Sequence, residues 1–322
     1  MSARYARQSV LPEVGAQGQA RLAAARVLVI GAGGLGCVVL QYLCAAGVGQ
    51  LVVLDPDRVE ESNLHRQPLY RMADIGTAKA LAAASSLAAL NPEVRIEAAV
   101  ERVTPANASA WCAQADLVVD AADSLALTYM LSDECQRQGK PLISASVLGL
   151  SGYAGVFCGG APSYRAVFPD MPQRAGACAE TGVLGSAVGV LGTLQAHLTL
   201  ALLLRLAPTV LGRLVSVDLA TLRFGGFSFA RAPEPAEPVL RFIAAPQVRP
   251  DDVVIDLRTR AEAPVSPFAS ALRIEVEQIA AQPLPSGGRV VLCCRSGIRA
   301  WRAARALLQR EAREVALIAL GE

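Results

Sequence analysis

Residues 26–36 read Arg-Val-Leu-Val-Ile-Gly-Ala-Gly-Gly-Leu-Gly, and they restrict the chain more than any other stretch. Val27–Ile30 is a short β-branched and leucine run of the kind that fills a buried parallel strand. Gly31, Gly33, Gly34 and Gly36 follow at once, and the apolar run Val38–Ala46 predicts a helix. A second apolar run, Leu51–Leu54, predicts the next strand and ends in Asp55, 19 residues after Gly36. Together these make one βαβ unit with a G-x-G-x-x-G turn and an acid at ribose distance. Backbone without Cβ lets phosphate oxygens approach, and the helix start offers them free N–H groups and a partial positive charge. Taken alone, the turn says nucleotide and leaves NAD or FAD as the first candidates.

The residues that follow do not suit a dinucleotide. Asp55, Pro56 and Asp57 open a polar loop containing Ser62, Asn63, Leu64, Arg66 and Gln67. The loop sits directly after the second strand, where α/β sheets bind ligands. Hydride transfer has no use for Asn63, Arg66 and Gln67 there, whereas a triphosphate needs such fixed cations and amides. Lys79 lies in the first turn of a helix opened by Gly76-Thr-Ala and adds a flexible point charge. Arg95–Ala99, 115–120 and Pro141–Leu148 predict further strands. After the second of these, Asp120 is placed to cap or turn the chain, and Asp123 to hold a magnesium ion over phosphates. Strand and helix alternate to about residue 150, which predicts an α/β, doubly wound, mostly parallel sheet of Rossmann-like design.

Composition closes off other classes. A net charge of +2, a pI near 8.1 and 5% aromatic residues give no electrostatic or stacking case for nucleic acid. The most lipid-like run, 183–204, contains Gln195 and His197 and reads as a buried core helix, so no membrane association is expected. The start of the chain has charge but no apolar core of a signal peptide, and a cytoplasmic location is expected. The eight cysteines form no C-x-x-C pair, which leaves a four-cysteine zinc site without its ligand pairs.

Arg231–Pro238 is rich in proline and glutamate and predicts a linker, 231–247, between a first domain, 1–230, and a small C-terminal α/β domain, 248–322. In the latter, Val253–Asp256 predicts a strand ending in an acid. Arg289–Leu292 predicts another, which runs into Cys293-Cys294-Arg-Ser-Gly-Ile-Arg299 and a helix through Gln309. That layout surrounds the Cys294 thiol with N–H groups at a helix start, a setting that favours the thiolate. Cys293 alternates to the other side of the strand and reads as core. Cys178 lies in a Gly/Ala-rich loop, 175–182, as either a covalent nucleophile or a spare thiol.

The ordered set Gly31-Ala-Gly-Gly-Leu-Gly36, Asp55-x-Asp57, Ser62-Asn-Leu-x-Arg66-Gln67, Lys79 and Asp123 resembles the ThiF/MoeB/HesA family, ubiquitin-activating-enzyme-like adenylyltransferases of sulfur-carrier proteins. Arg4-Tyr-x-Arg7-Gln8 and Cys178-Ala-Glu-Thr-Gly-Val-Leu-Gly185 match as well. The resemblance implies that Gly31, Gly33, Gly34, Asp57, Ser62, Leu64 and Gln67 line the ATP site, that Asp55 holds the ribose, and that Asn63, Arg66 and Lys79 grip the phosphates. It implies Asp123 as the Mg2+ ligand, and Arg7 as an arginine inserted into the partner's site of a homodimer. The cysteine matching Cys178 does covalent chemistry in some members and is dispensable in others, so the resemblance leaves both roles open. The family's usual Asp-Asn is Asp123-Ser124 here, so the resemblance puts Ser124 at a nucleotide contact and implies that this contact is weaker. Its first zinc-binding C-x-x-C pair falls on Ser163 and Ala166, and the second is absent near 231–238, so no zinc is expected.

Cys294-Arg-Ser-Gly-Ile-Arg299 resembles the rhodanese active-site loop, with Cys294 as persulfide carrier. The arginine is the fifth residue after Cys294, one short of a C-x5-R phosphatase loop. The combined resemblance implies adenylation of the C-terminal Gly-Gly tail of a small ubiquitin-like carrier, then sulfur transfer from a donor such as a cysteine desulfurase or thiosulfate, giving a thiocarboxylate. An NAD-dependent oxidoreductase and a carrier-binding scaffold without activity are the rival readings.

Overall fold

The computed structural model describes residues 3–172, 182–236, 239–279, 281–285, 288–310 and 313–321. Cys178 lies outside the described residues.

Two short helices, α1 (Ala6–Ser9) and α2 (Gly15–Ala24), precede β1 (Arg26–Ile30), α3 (Gly34–Ala46) and β2 (Gln50–Leu54). The helix α3 begins four residues earlier than its apolar run predicts, inside the glycine turn. The reason is close approach: a Cβ on Gly36 would stand 2.0 Å from the Gly31 carbonyl oxygen, so only glycine lets the chain turn this tightly from strand to helix. Then come α4 (Lys79–Leu90), β3 (Arg95–Ala99), α5 (Ala108–Ala113), β4 (Leu117–Asp120), α6 (Leu125–Gln138), β5 (Pro141–Leu148) and β6 (Ser151–Cys158). A short α7 (Tyr164–Val167), the long α8 (Gly185–Leu204), β7 (Arg213–Asp218) and β8 (Arg223–Ser228) complete the first unit.

Its eight strands run in the order β3-β2-β1-β4-β5-β6-β7-β8, parallel as far as β5 and antiparallel beyond it. The order reverses between β1 and β4, the switch point at which such sheets open a ligand crevice. Ile30 pairs with both Leu54 and Asp120, so Gly31, Asp55 and Ala121 leave the sheet side by side. Val27, Val29, Leu51, Val53 and Val119 fill one face, against α3 and α8. The helix α8 is the one described helix long and apolar enough to cross a membrane, and here it lies packed on α3, β5 and β6.

The second sheet is all parallel, with the order β11-β10-β12-β13-β9. Its strands are β9 (Arg241–Phe242), β10 (Val253–Asp256), β11 (Leu272–Arg273), β12 (Val290–Cys294) and β13 (Val315–Ala319), with α9 (Ile298–Arg310) after β12. The edge strand β9 comes from the segment expected as linker. Leu240 and Phe242 are buried there, so the apolar residues just past Pro238 belong to the second unit's core.

The other face of the large sheet does not end at a surface. One apolar cluster runs from Leu28, Leu142 and Phe157 through Tyr129 and Tyr164 to Trp301, Leu292 and Leu317, and so joins the two sheets.

Candidate active site

The glycine turn is organised by Asp55, which is buried. One of its carboxylate oxygens accepts the Ala32 N–H at 2.7 Å and the other the Asp57 N–H at 2.8 Å. Burial raises its pKa, and the two backbone donors and Lys79 oppose that rise. The Tyr70 hydroxyl, buried beneath the turn, donates to the carbonyl of Ala32 at 2.6 Å. Lys79 is buried at the start of α4, with its Nζ 3.0 Å from the Asp57 carboxylate. The structure therefore brings Gly31, Asp55, Asp57 and Lys79 together.

The polar loop closes over them. Asn63 is buried, and its Oδ1 accepts the Glu60 N–H while its Nδ2 donates to Ser62 Oγ. Ser62 donates to Glu60, and Leu64 packs half-buried on the core of the large sheet. Arg66 is held by the Ser62 carbonyl at 3.0 Å, and its Cγ lies 3.8 Å from where a Cβ on Gly34 would be. Gln67 is buried with its Nε2 next to Gly33, and its Oε1 has no hydrogen-bond partner. A buried acceptor left unpaired beside a glycine cradle is the mark of a site whose ligand completes it. The residues present thus fit a nucleotide triphosphate.

On the β4 side, Asp120 is fully buried and accepts Thr128 Oγ1 at 2.7 Å, Ser144 Oγ at 3.0 Å and the Ala122 N–H. Burial pushes its pKa up to about 6 despite those donors. Gln195, from the apolar α8, donates to the Asp120 carbonyl at 2.6 Å. Asp120 therefore pins the end of β4. Asp123, three residues on, is exposed beyond the end of the strand. Ser124 serves α6 itself: its Oγ accepts the Leu127 N–H as an N-cap. Asp120 was read as capping or turning the chain, and Tyr70 and Gln195 are site-shaping residues to which the sequence reading gave no such role. The signal for the last was a lone amide in an apolar run.

Arg7 is not brought to this crevice. It is exposed on α1, and its neighbour Tyr5 packs on Gly47 and donates to no part of the crevice: its hydroxyl meets Asn91. The helix α3 separates Gly47 from the glycine turn, a span of about 20 Å for thirteen residues.

Cys294 forms a second centre. Its Sγ is buried and accepts the N–H groups of Gly297 at 3.1 Å and Ala300 at 3.4 Å. Arg299 stands beside it, gripped by Glu262 at 2.8 and 2.7 Å, and that pairing draws the glutamate's pKa down to about 2. Arg258 is fixed by Asp256, whose low pKa survives burial because of that guanidinium. Cys293 faces the opposite side among Val254, Val291 and Ile318, and burial pushes its thiol up to about 12.

The ThiF family model matches residues 5–239. The chain belongs to the ThiF family. This ThiF-family chain is 48% identical over 218 residues to the adenylyltransferase and sulfurtransferase MOCS3 of Bos taurus, a match covering 67% of this chain and 48% of that protein. It is 44% identical over 238 residues to a sulfur carrier protein adenylyltransferase of Thermus thermophilus, covering 71% of this chain and 88% of the relative. The chain spans about half the length of the MOCS3 relatives it matches. Among solved structures, E. coli MccB with MccA-N7isoASN superposes with a TM-score of 0.63 over 72% of this chain and 74% of that one. At 21% identity this shows the shared fold of the ThiF-family unit.

Proposed function

We propose that the chain adenylates the C-terminal glycine carboxylate of a small ubiquitin-like sulfur-carrier protein and then converts it to a thiocarboxylate. The observation that carries the reading is the buried Lys79, paired with the exposed Asp57 carboxylate beside the glycine turn, together with the Asn63–Gln67 loop. This is a site for three phosphates rather than for a nicotinamide. The similarity to the MOCS3 and Thermus adenylyltransferases supports it.

ATP would lie with its phosphates on the Gly31–Gly34 turn, near Arg66 and Lys79, and with its ribose at Asp55. Magnesium held by Asp123 would offset phosphate charge there. The carrier carboxylate, already ionised at neutral pH, attacks the α-phosphate; pyrophosphate leaves with the P–O electron pair, and an acyl adenylate remains. Both reactants are anions, so fixed cations at the point of attack lower the barrier. Arg7, too far from its own crevice, would act in the partner's site of a homodimer. No zinc is assigned.

Thiosulfate, or a cysteine desulfurase, would load Cys294 as a persulfide; with thiosulfate, sulfite leaves. The outer persulfide sulfur attacks the acyl carbon and AMP departs. Two equivalents of external thiol then reduce the acyl disulfide, leaving as a disulfide while the carrier leaves as thiocarboxylate and Cys294 as thiol. Cys178 is the alternative acyl acceptor before that step.

The test is pyrophosphate exchange into ATP with a carrier ending in Gly-Gly. Exchange that needs the intact tail is expected; none with any such carrier would overturn the reading.

A further inference from the structure

The two centres are joined by a packed contact between their units. A Cβ on Gly297, in the Cys294 loop, would stand 3.1 Å from the Cβ of Ala126 and 2.7 Å from the Phe242 ring. Ala126 is in the first turn of α6, three residues after Asp123. Adding the Gly297 N–H to Cys294 Sγ distance of 3.1 Å, the thiol lies no more than about 9 Å from the Ala126 Cβ. Even a fully stretched 123–126 segment keeps Asp123 within about 22 Å of it.

Arg165 holds this apposition. It is buried in α7, donates to both oxygens of Asp133 on α6 at 2.6 and 2.8 Å, and reaches across to the Leu240 carbonyl at 2.9 Å. Its guanidinium also lies over the rings of both Tyr129 (4.9 Å) and Trp301 (5.4 Å), one from each unit. Those two rings meet at 5.1 Å, and Arg305 on α9 pairs with Asp170 at 3.2 Å. The apolar cluster is continuous beneath them.

We infer that sulfur passes from Cys294 to the adenylate formed in the same chain, across the contact between Gly297 and the first turn of α6, with Arg165 as the positioning residue. The inference rests on the adenylation and sulfur-transfer reading above and uses its chemistry without addition. A carrier tail of about six extended residues spans the greatest separation allowed, so neither unit needs to swing. A partner subunit is required only for what its own arm supplies.

The test co-expresses two full-length chains with different tags, one Arg66→Ala and one Cys294→Ser, and isolates dimers carrying both tags. They are given a Gly-Gly carrier, ATP, magnesium, thiosulfate and dithiothreitol, and thiocarboxylate is read by mass spectrometry. Transfer within a chain predicts no more product than either single variant. Transfer between subunits would give about half the wild-type rate, one competent pair of centres in each dimer, and would overturn the inference alone. Wild-type enzyme that exchanges pyrophosphate yet forms no thiocarboxylate would remove the sulfur-transfer reading and the inference with it. Product from a wild-type monomer would itself be transfer within a chain. Arg165→Ala is expected to lower thiocarboxylate formation at least about tenfold relative to pyrophosphate exchange, through lost effective concentration, with Arg165→Lys intermediate. A parallel fall in both activities would reduce Arg165 to a folding role. Arg305→Ala, at the surface, gives the same ratio test should Arg165→Ala not fold.

Discussion

Glu234 closes a two-point clasp on Ser163, accepting its backbone N–H at 2.7 Å and its hydroxyl at 2.5 Å on separate carboxylate oxygens. Gln136 adds a third hydrogen bond to the same glutamate. Ser163 stands where the family resemblance puts one zinc ligand, and Glu234 comes from the stretch where it puts the second pair. A charge-assisted clasp therefore ties the connecting segment to the first unit. Glu234→Ala is expected to lower stability by about 1–2 kcal/mol in urea unfolding, because a buried N–H loses its acceptor. A zinc chelator is expected to leave the wild-type midpoint in place; a chelator-induced shift would mean that a metal holds this segment instead.

Lys79 has little freedom, being buried against Asp57, and so presents its charge at one fixed place. Lys79→Ala is expected to lower carrier-dependent pyrophosphate exchange by about a hundredfold, and Lys79→Arg not to restore it, because the larger planar group does not fit the same cavity. Full activity in the arginine variant would contradict this geometry.

The Gln67 Oε1 has no hydrogen-bond partner within the protein, so its loss removes little from the fold. Gln67→Leu is expected to weaken ATP binding about tenfold by calorimetry, or about 1.4 kcal/mol, with the urea midpoint nearly unchanged. Unaltered affinity would assign the amide to packing alone.

Asp120 gives the fold a pH dependence of unusual sign. Its pKa is about 6 when folded, against 3.8 as its ordinary value, so between those pH values the folded state holds more proton than the unfolded. Stability from this group is therefore full below pH 4 and falls as pH rises through 6, by about 3 kcal/mol in all. Asp120→Asn is expected to remove that slope. Urea unfolding of both proteins from pH 4 to 7 measures the difference, which would be flat if Asp120 titrated normally.

The glycine turn, the parallel strands and the order of site residues were legible because each depends on neighbours a few positions away. The turn alone left a dinucleotide open, and it was the Asn63–Gln67 loop and Lys79 that pointed to phosphates. Other features depended on distance in space. Arg7 lies at the far end of α3 from its own crevice, and only the packing of Tyr5 on Gly47 shows this. Nothing local in the sequence singles out Arg165 or Glu234, since their partners lie 32 to 75 positions away. Leu240 and Phe242 passed as linker because a two-residue strand leaves no periodicity to read. That Ser124 also caps α6 shows only once the start of that helix is known.

Gly297 has φ +85° and faces Phe242 and Ala126 too closely for even a methyl group. One missing carbon thus keeps both the shape of the loop around Cys294 and the seam between the two halves of the molecule. Any side chain there would distort the thiol's cradle and wedge the halves apart in the same stroke, so neither half can drift in sequence at that seam without the other answering.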